Sequence, residues 1–143
     1  MFDLVSLYIF EIKTQCEFAM YAFSKMIEAI REGNVLKTFF YAHSFAVHAA
    51  NISKLIWTRD KKLSENIQKI LQIRENMYIR NRRLRNHLEH YDERLRAWYS
   101  SSKRRNFVDM NLMPPNAIAG IDTEDMLRNL DPYSLTFSFK GED

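Results

Sequence analysis

The sequence predicts a mainly helical fold, a bundle of about a hundred residues followed by a short mixed tail. Three observations predict it. Of 143 residues only three are Gly and three Pro, and five of these six stand at or beyond position 114. That leaves too little turn-forming material for a β-sandwich or β-barrel in the first hundred residues. Apolar residues also recur three and four apart through most of residues 4 to 99, the period of a helix with a buried face. Finally, 46% hydrophobic and 27% charged residues describe one compact domain. A chain of this length buries roughly 68% of the surface it exposes when unfolded, enough for a core without metal or disulfide staples.

The first helix is expected over residues 4 to 32, with Val5, Tyr8, Ile9, Ile12, Cys16, Ala19, Met20, Phe23, Ile27 and Ile30 on its apolar stripe. Leu7, Phe10, Phe18 and Tyr21 lie off that stripe, so the helix is apolar on more than one face and calls for neighbours on two sides or a second subunit. Gly33 ends it, and Asn34 caps the next helix. Cys16, the sole cysteine, has apolar neighbours, from which a buried thiol in a reducing compartment is expected.

The second helix runs from about 35 to 57. Leu36, Phe40, His43, Val47 and Ala50 form one line and Tyr41, Phe45, His48, Ile52 and Leu55 another, which predicts two buried contacts. The single-residue link makes the two helices an antiparallel hairpin. Asp60 caps a third helix carrying Leu63, Ile67, Ile70 and Leu71. Continued to Tyr99, that helix would be improbably long, so a break is expected between Arg74 and Asn81.

In the fourth helix, up to Tyr99, Met77, Leu84, Leu88, Tyr91, Leu95 and Trp98 fall within about 40° of one line, the expected core face. Arg82, Arg83, Asn86, Glu89, His90 and Glu93 fall on the far side, with Ile79 among them. Residues 100 to 105 read as an exposed linker. Beyond Asn106, residues 107 to 112 and 135 to 139 alternate with period two, predicting two short strands, and Asp122 is expected to cap a short helix through Asn129. The chain thus divides into a helical bundle, 1–105, and a small strand and helix appendage, 106–143, packed on it.

Charge is unevenly spread. Residues 74 to 105 hold ten basic and four acidic side chains, a local +6 within a total of +3. Such a cluster is what a phosphate-binding surface needs, with Arg82, Arg83 and Arg94 as candidate nucleic-acid contacts, although an arginine-rich helix face can also be simply solvated. The opening residues MFDLVSLYIFEIK carry no basic leader and reach Glu11 and Lys13 before a long apolar run develops. A signal peptide and a membrane span are therefore not expected, and a cytoplasmic location is.

Arg85-Asn86-His87-Leu88-Glu89-His90 follows the pattern R-N-x-L-x-H. It resembles the signature of the HEPN superfamily, all-helical domains that pair through a helical interface. The resemblance implies an up-and-down four-helix bundle, a homodimer with a composite basic cleft, and, in catalytic members, metal-independent RNA cleavage without a cofactor. It implies His90 as general acid/base, Arg85 as phosphate clamp and Asn86 as the residue orienting the phosphate or His90. The residue types suit the chemistry. A histidine near neutrality moves protons at the ribose 2′-hydroxyl and the leaving oxygen, and an arginine holds the phosphate and its developing charge. A non-catalytic module binding RNA or nucleotide is the alternative, and a structural interaction dimer is a third reading.

Arg85 and His90 are about 140° apart on a regular helix, so either the Arg wraps round, the helix is distorted, or the pair forms across two chains. The toxin branch of the family, encoded beside nucleotidyltransferases, often carries R-x4-H-x-Y; here Tyr91 follows His90 directly and Asp92 takes the tyrosine's place. A nucleotidyltransferase partner is accordingly one possibility. The plainest reading of Arg85 is an ion pair with Glu89 on a solvated helix face. His43 and His48 read as hydrogen-bonded interior or interface histidines. His87 and His90 lack a third ligand at helical spacing, so no metal site is expected.

Overall fold

The computed structural model describes residues 3–74 and 76–141. Its frame is a helical hairpin. Helix α1 spans Leu4–Arg31, about 42 Å at 1.5 Å per residue, and α2 spans Val35–Ile56. Asp3 caps α1 through the Ser6 N–H at 2.7 Å, and Asn34 caps α2 through the Lys37 N–H at 3.0 Å. Between them Gly33 adopts φ +65°, the left-handed conformation that L side chains resist.

The buried seam of the hairpin differs from the expected stripes. On α1 it is Ile12, Gln15, Ala19, Ala22, Met26 and Ala29, and on α2 it includes Phe39, Ala42, Ala46, Ala50 and Ser53. Small side chains let the two backbones approach closely, so they, and not the bulkiest residues, mark the contact. Cys16 is exposed, not buried as expected. It sits one position past the seam residue Gln15, and a step of about 100° turns it out of the hairpin. Of the first predicted line of α2, Ala50 is buried and His43 half-buried, but Leu36, Phe40 and Val47 are exposed, as are Leu7, Phe10, Phe18 and Tyr21 of α1.

Asp60 caps α3, Lys61–Ile70, by accepting the Leu63 N–H at 3.1 Å. Leu63 and Ile67 join Ile12, Ala19, Ile52 and Ile56 in a core at the open end of the hairpin. The break expected between Arg74 and Asn81 is present, with a single 3-10 turn at Tyr78–Arg80. Ile79, placed on the solvent face by the sequence, packs against this core, while Met77, placed on the core face, is exposed. Both lie before the helix begins, where helical angles no longer apply.

The expected fourth helix is two helices, α4, Arg83–Glu89, and α5, Tyr91–Ser101. The tail also departs from expectation. Three strands form, not two: β1 Asn111–Leu112, β2 Arg128–Asp131 and β3 Thr136–Phe139, with β2 central, parallel to β1 and antiparallel to β3. The helix expected from Asp122 to Asn129 is a 3-10 turn, Thr123–Asp125, running into β2. Ladder pairing on both edges of β2 outweighs the weak local preference for a helix.

The sheet is wedged into the helices. Leu130 packs with Met26, Phe39 and Ala42 of the hairpin, whereas Leu127 and Phe139 pack with Trp98 and, around them, Leu84 and Tyr91. The Trp98 indole N–H donates to the Asp125 carbonyl at 3.2 Å, and the Ser102 hydroxyl donates to Asp125 at 3.0 Å. Asp109 accepts from the backbone N–H groups of Met110 and Arg128 and pairs with the Arg128 guanidinium through Nε, at 2.8 Å, and Nη2. The chain is mainly helical, with five α-helices and a three-stranded sheet among the described residues. None of these helices is long and apolar enough to cross a membrane.

Candidate functional site

The R-N-x-L-x-H segment is α4 together with its junction to α5. The Asn81 side chain accepts the Arg83 N–H at 3.0 Å and so anchors the start of α4. At the other end His90 leaves the helical region, with φ −100° and ψ 39°. Hydrogen bonds still cross the junction: the His90 N–H donates to the Asn86 carbonyl at 3.2 Å and the Arg94 N–H to the His90 carbonyl at 3.0 Å. The helix is distorted at the motif histidine itself, and the His90 residue is exposed there.

Arg85 is held differently. Its side chain is mostly covered, and its guanidinium pairs with the half-exposed Glu89 one turn on and lies 3.5 Å from the Asn86 side-chain oxygen. Arg85, Asn86 and Glu89 are therefore together, whereas no described interaction joins Arg85 to His90. The pair with Glu89 is the one that helix spacing alone foretells. Burial and then the Arg82 charge push the Arg85 pKa down. Burial, Arg85 and Arg82, in that order, push Lys54 of α2 down as well. Three cations thus share one neighbourhood where α4 crosses α2.

Arg82 and Arg85 line an open groove of about 630 Å³ between the hairpin, α4 and the β2–β3 turn. Arg83 is exposed. Arg94 lines a separate cleft of about 370 Å³ with His87 and Lys140, and its Nε is buried without a hydrogen-bond partner among the described residues. Tyr91 lies against Phe139 and beneath the Arg128 guanidinium, 5.2 Å from its ring centroid. It serves packing, and burial pushes its hydroxyl pKa up.

The other histidines have interior roles. His87 stacks on Phe139 at 5.0 Å and 5°. Nδ1 of His48 lies 2.8 Å from the Gln15 side-chain oxygen. The His43 ring stacks on Phe137 at 5.7 Å and 16°, and burial, with Arg128 second, lowers its pKa to about 4. Among the described residues no group of three His, Cys, Asp or Glu is placed to hold a metal ion.

Lys54 and Tyr78, both beside the motif in space, were not singled out from the sequence. Each precedes α4 and joins it only through the fold, so spacing carries no trace of them. Comparison with protein families, with curated proteins and with solved structures finds no match to this chain.

Proposed function

We propose that the chain is a metal-independent endoribonuclease of the HEPN type, an up-and-down helical bundle acting as a homodimer in which two R-N-x-L-x-H segments face one another. The observation that carries this reading is the exposure of His90 at the α4–α5 junction. A histidine buried in a regular helix would be closed to substrate; this one is open to it. In this chemistry the ribose 2′-hydroxyl attacks the adjacent phosphorus, its proton is taken up, and the 5′-oxygen leaves with a proton. His90 acts as the acid/base, Arg85 binds the phosphate and Asn86 orients it. The separation between Arg85 and His90 within one chain is bridged in this reading by the partner, which brings the opposite motif.

The second subunit is supported by the apolar face left by the hairpin, where Phe10 is 58% and Tyr21 63% exposed. Tyr91, engaged in packing, speaks against a toxin controlled by tyrosine modification, and so lowers the weight of a nucleotidyltransferase partner.

The Arg85–Glu89 pair favours a second reading, an RNA- or nucleotide-binding module without cleavage, in which phosphate competes with Glu89 for the guanidinium. RNA degradation assayed in EDTA separates the two. Loss of cleavage in His90→Ala, with dimer mass unchanged, supports the nuclease. Cleavage that persists in this variant overturns it. Salt-dependent RNA binding without cleavage, lost in Arg85→Ala, selects the binding module. Dissociation of both variants, with no effect on nucleic acid, selects the structural dimer.

A further inference from the structure

We propose that the groove between α2, α4 and the β2–β3 turn binds a small amphiphilic anion, a hydrocarbon chain carrying a carboxylate or phosphate head. The site goes beyond the nuclease reading and shares with it Arg85 and the candidate nucleic-acid contact Arg82. Its volume of about 630 Å³ falls within the range of small-molecule sites. The floor is a row of alanines on α2, Ala42, Ala46, Ala49 and Ala50, whose short side chains leave the room that the groove occupies. Phe45, Tyr78 and Phe137 contribute aromatic walls.

The groove is polarised along α2. Near Ala42 its surroundings are the apolar core of Met26, Phe39 and Leu130. Toward the other end, Lys54 stands one helical turn beyond Ala50, about 18 Å along the axis from Ala42, where it meets Arg82 and Arg85. These three like charges face one another, and Glu89 is the one carboxylate paired with any of them among the described residues. An anionic head at that end relieves their repulsion while its hydrocarbon body covers the alanine floor.

The lining also sorts the possible occupants. A nucleobase or a peptide segment has donors and acceptors along its length, and the side chains of the alanine floor, Phe45 and Phe137 offer those groups no partners, at a cost of about 1–3 kcal/mol for each group left unpaired. A hydrocarbon chain has none to satisfy. Its single polar group lies where the cations are.

Titration of the full chain with dodecanoate, dodecyl phosphate and dodecanol, each below its micelle concentration, tests the proposal. Saturable one-to-one binding of the two anions, at least tenfold tighter than dodecanol, is expected. Ala49→Phe fills the floor and should lower anion affinity at least tenfold, and Arg82→Gln should weaken the anions several-fold but not dodecanol. Methyl resonances of Ala42, Ala46 and Ala49 in the unaltered chain should shift with the same saturation, so the site is read even if a variant folds poorly. Absence of saturable binding, equal binding of dodecanol, or shifts confined to other methyls would overturn it. Concentration-dependent shifts of these methyls without any ligand would assign the groove to a second copy and overturn it too.

Discussion

Acidification is expected to destabilise the chain through His43, whose ring lies inside the fold against Phe137. Burial, with Arg128 second and Asp109 opposing, lowers its pKa from 6.5 to about 4. The sign follows from linkage. Between these two values the unfolded chain binds the proton and the folded chain does not, so stability is full above about pH 6.5 and falls as the pH drops toward 4. Fully expressed, a depression of that size amounts to roughly 3.4 kcal/mol. The ring is partly open to water, so a net loss of about 1.5 kcal/mol between pH 7 and 4.5 is expected.

Urea unfolding followed by circular dichroism at several pH values in that window measures it, with His43→Phe as the reference. Phenylalanine keeps the stack on Phe137 and removes the titrating group. It also replaces Nε2, a buried nitrogen without a hydrogen-bond partner among the described residues, by carbon, so the variant should be at least as stable at pH 7. Parallel pH curves for the two proteins would refute the reasoning.

Three further outcomes are expected. Asp109→Ala leaves the Arg128 guanidinium unpaired over the Tyr91 ring and should cost about 3 kcal/mol, with faster tryptic cleavage at Lys103–Arg105 as the tail loosens. Asp60→Ala removes the α3 cap and should cost about 1 kcal/mol in a thermal or urea melt. Tyr21→Glu places a charge on the exposed apolar face of the hairpin; under the proposed homodimer it should halve the mass read by light scattering in the unaltered chain without lowering the melting temperature, and an unchanged mass would remove this face from the interface.

The long elements were legible because their ends carry chemistry. Asn34 and Asp60, expected as caps, each cap a helix in the structure, and Gly33 supplies the turn. The seam was less legible. Both faces of α1 are apolar, so periodicity alone could not say which one the hairpin buries, and the expected stripe holds Ala19 but not Ala22 or Ala29. Their spacing was the available clue.

The tail was misread where local and non-local preferences conflict. Asp122, Glu124 and Asp125 resemble a helix start, and Leu127 and Leu130 three apart resemble a helical face. Strand β2 is decided instead by its two neighbours: β3, whose register partners stand 5 to 11 residues on, as Leu130 with Phe137, and β1, whose partners stand 18 residues back, as Asn111 with Asn129. In the candidate site the sequence foretold the Arg85–Glu89 pair and a possible distortion of the helix. It held no sign of Lys54 beside Arg82 and Arg85, because that contact depends on where α4 crosses α2.

The single-residue turn at Gly33 also bears on the order of folding. Closing so short a connection costs little chain entropy, and the seam it brings together is the most extensive contact between elements among the described residues. The sheet, by contrast, needs the parallel pairing of β1 with β2 across residues 113 to 127, and it packs on Met26, Phe39 and Ala42, far earlier in the chain. The hairpin should therefore form in the transition state and the sheet after it. Ala22→Gly should slow folding, whereas Leu127→Ala should mainly speed unfolding, a contrast that a chevron plot reads directly.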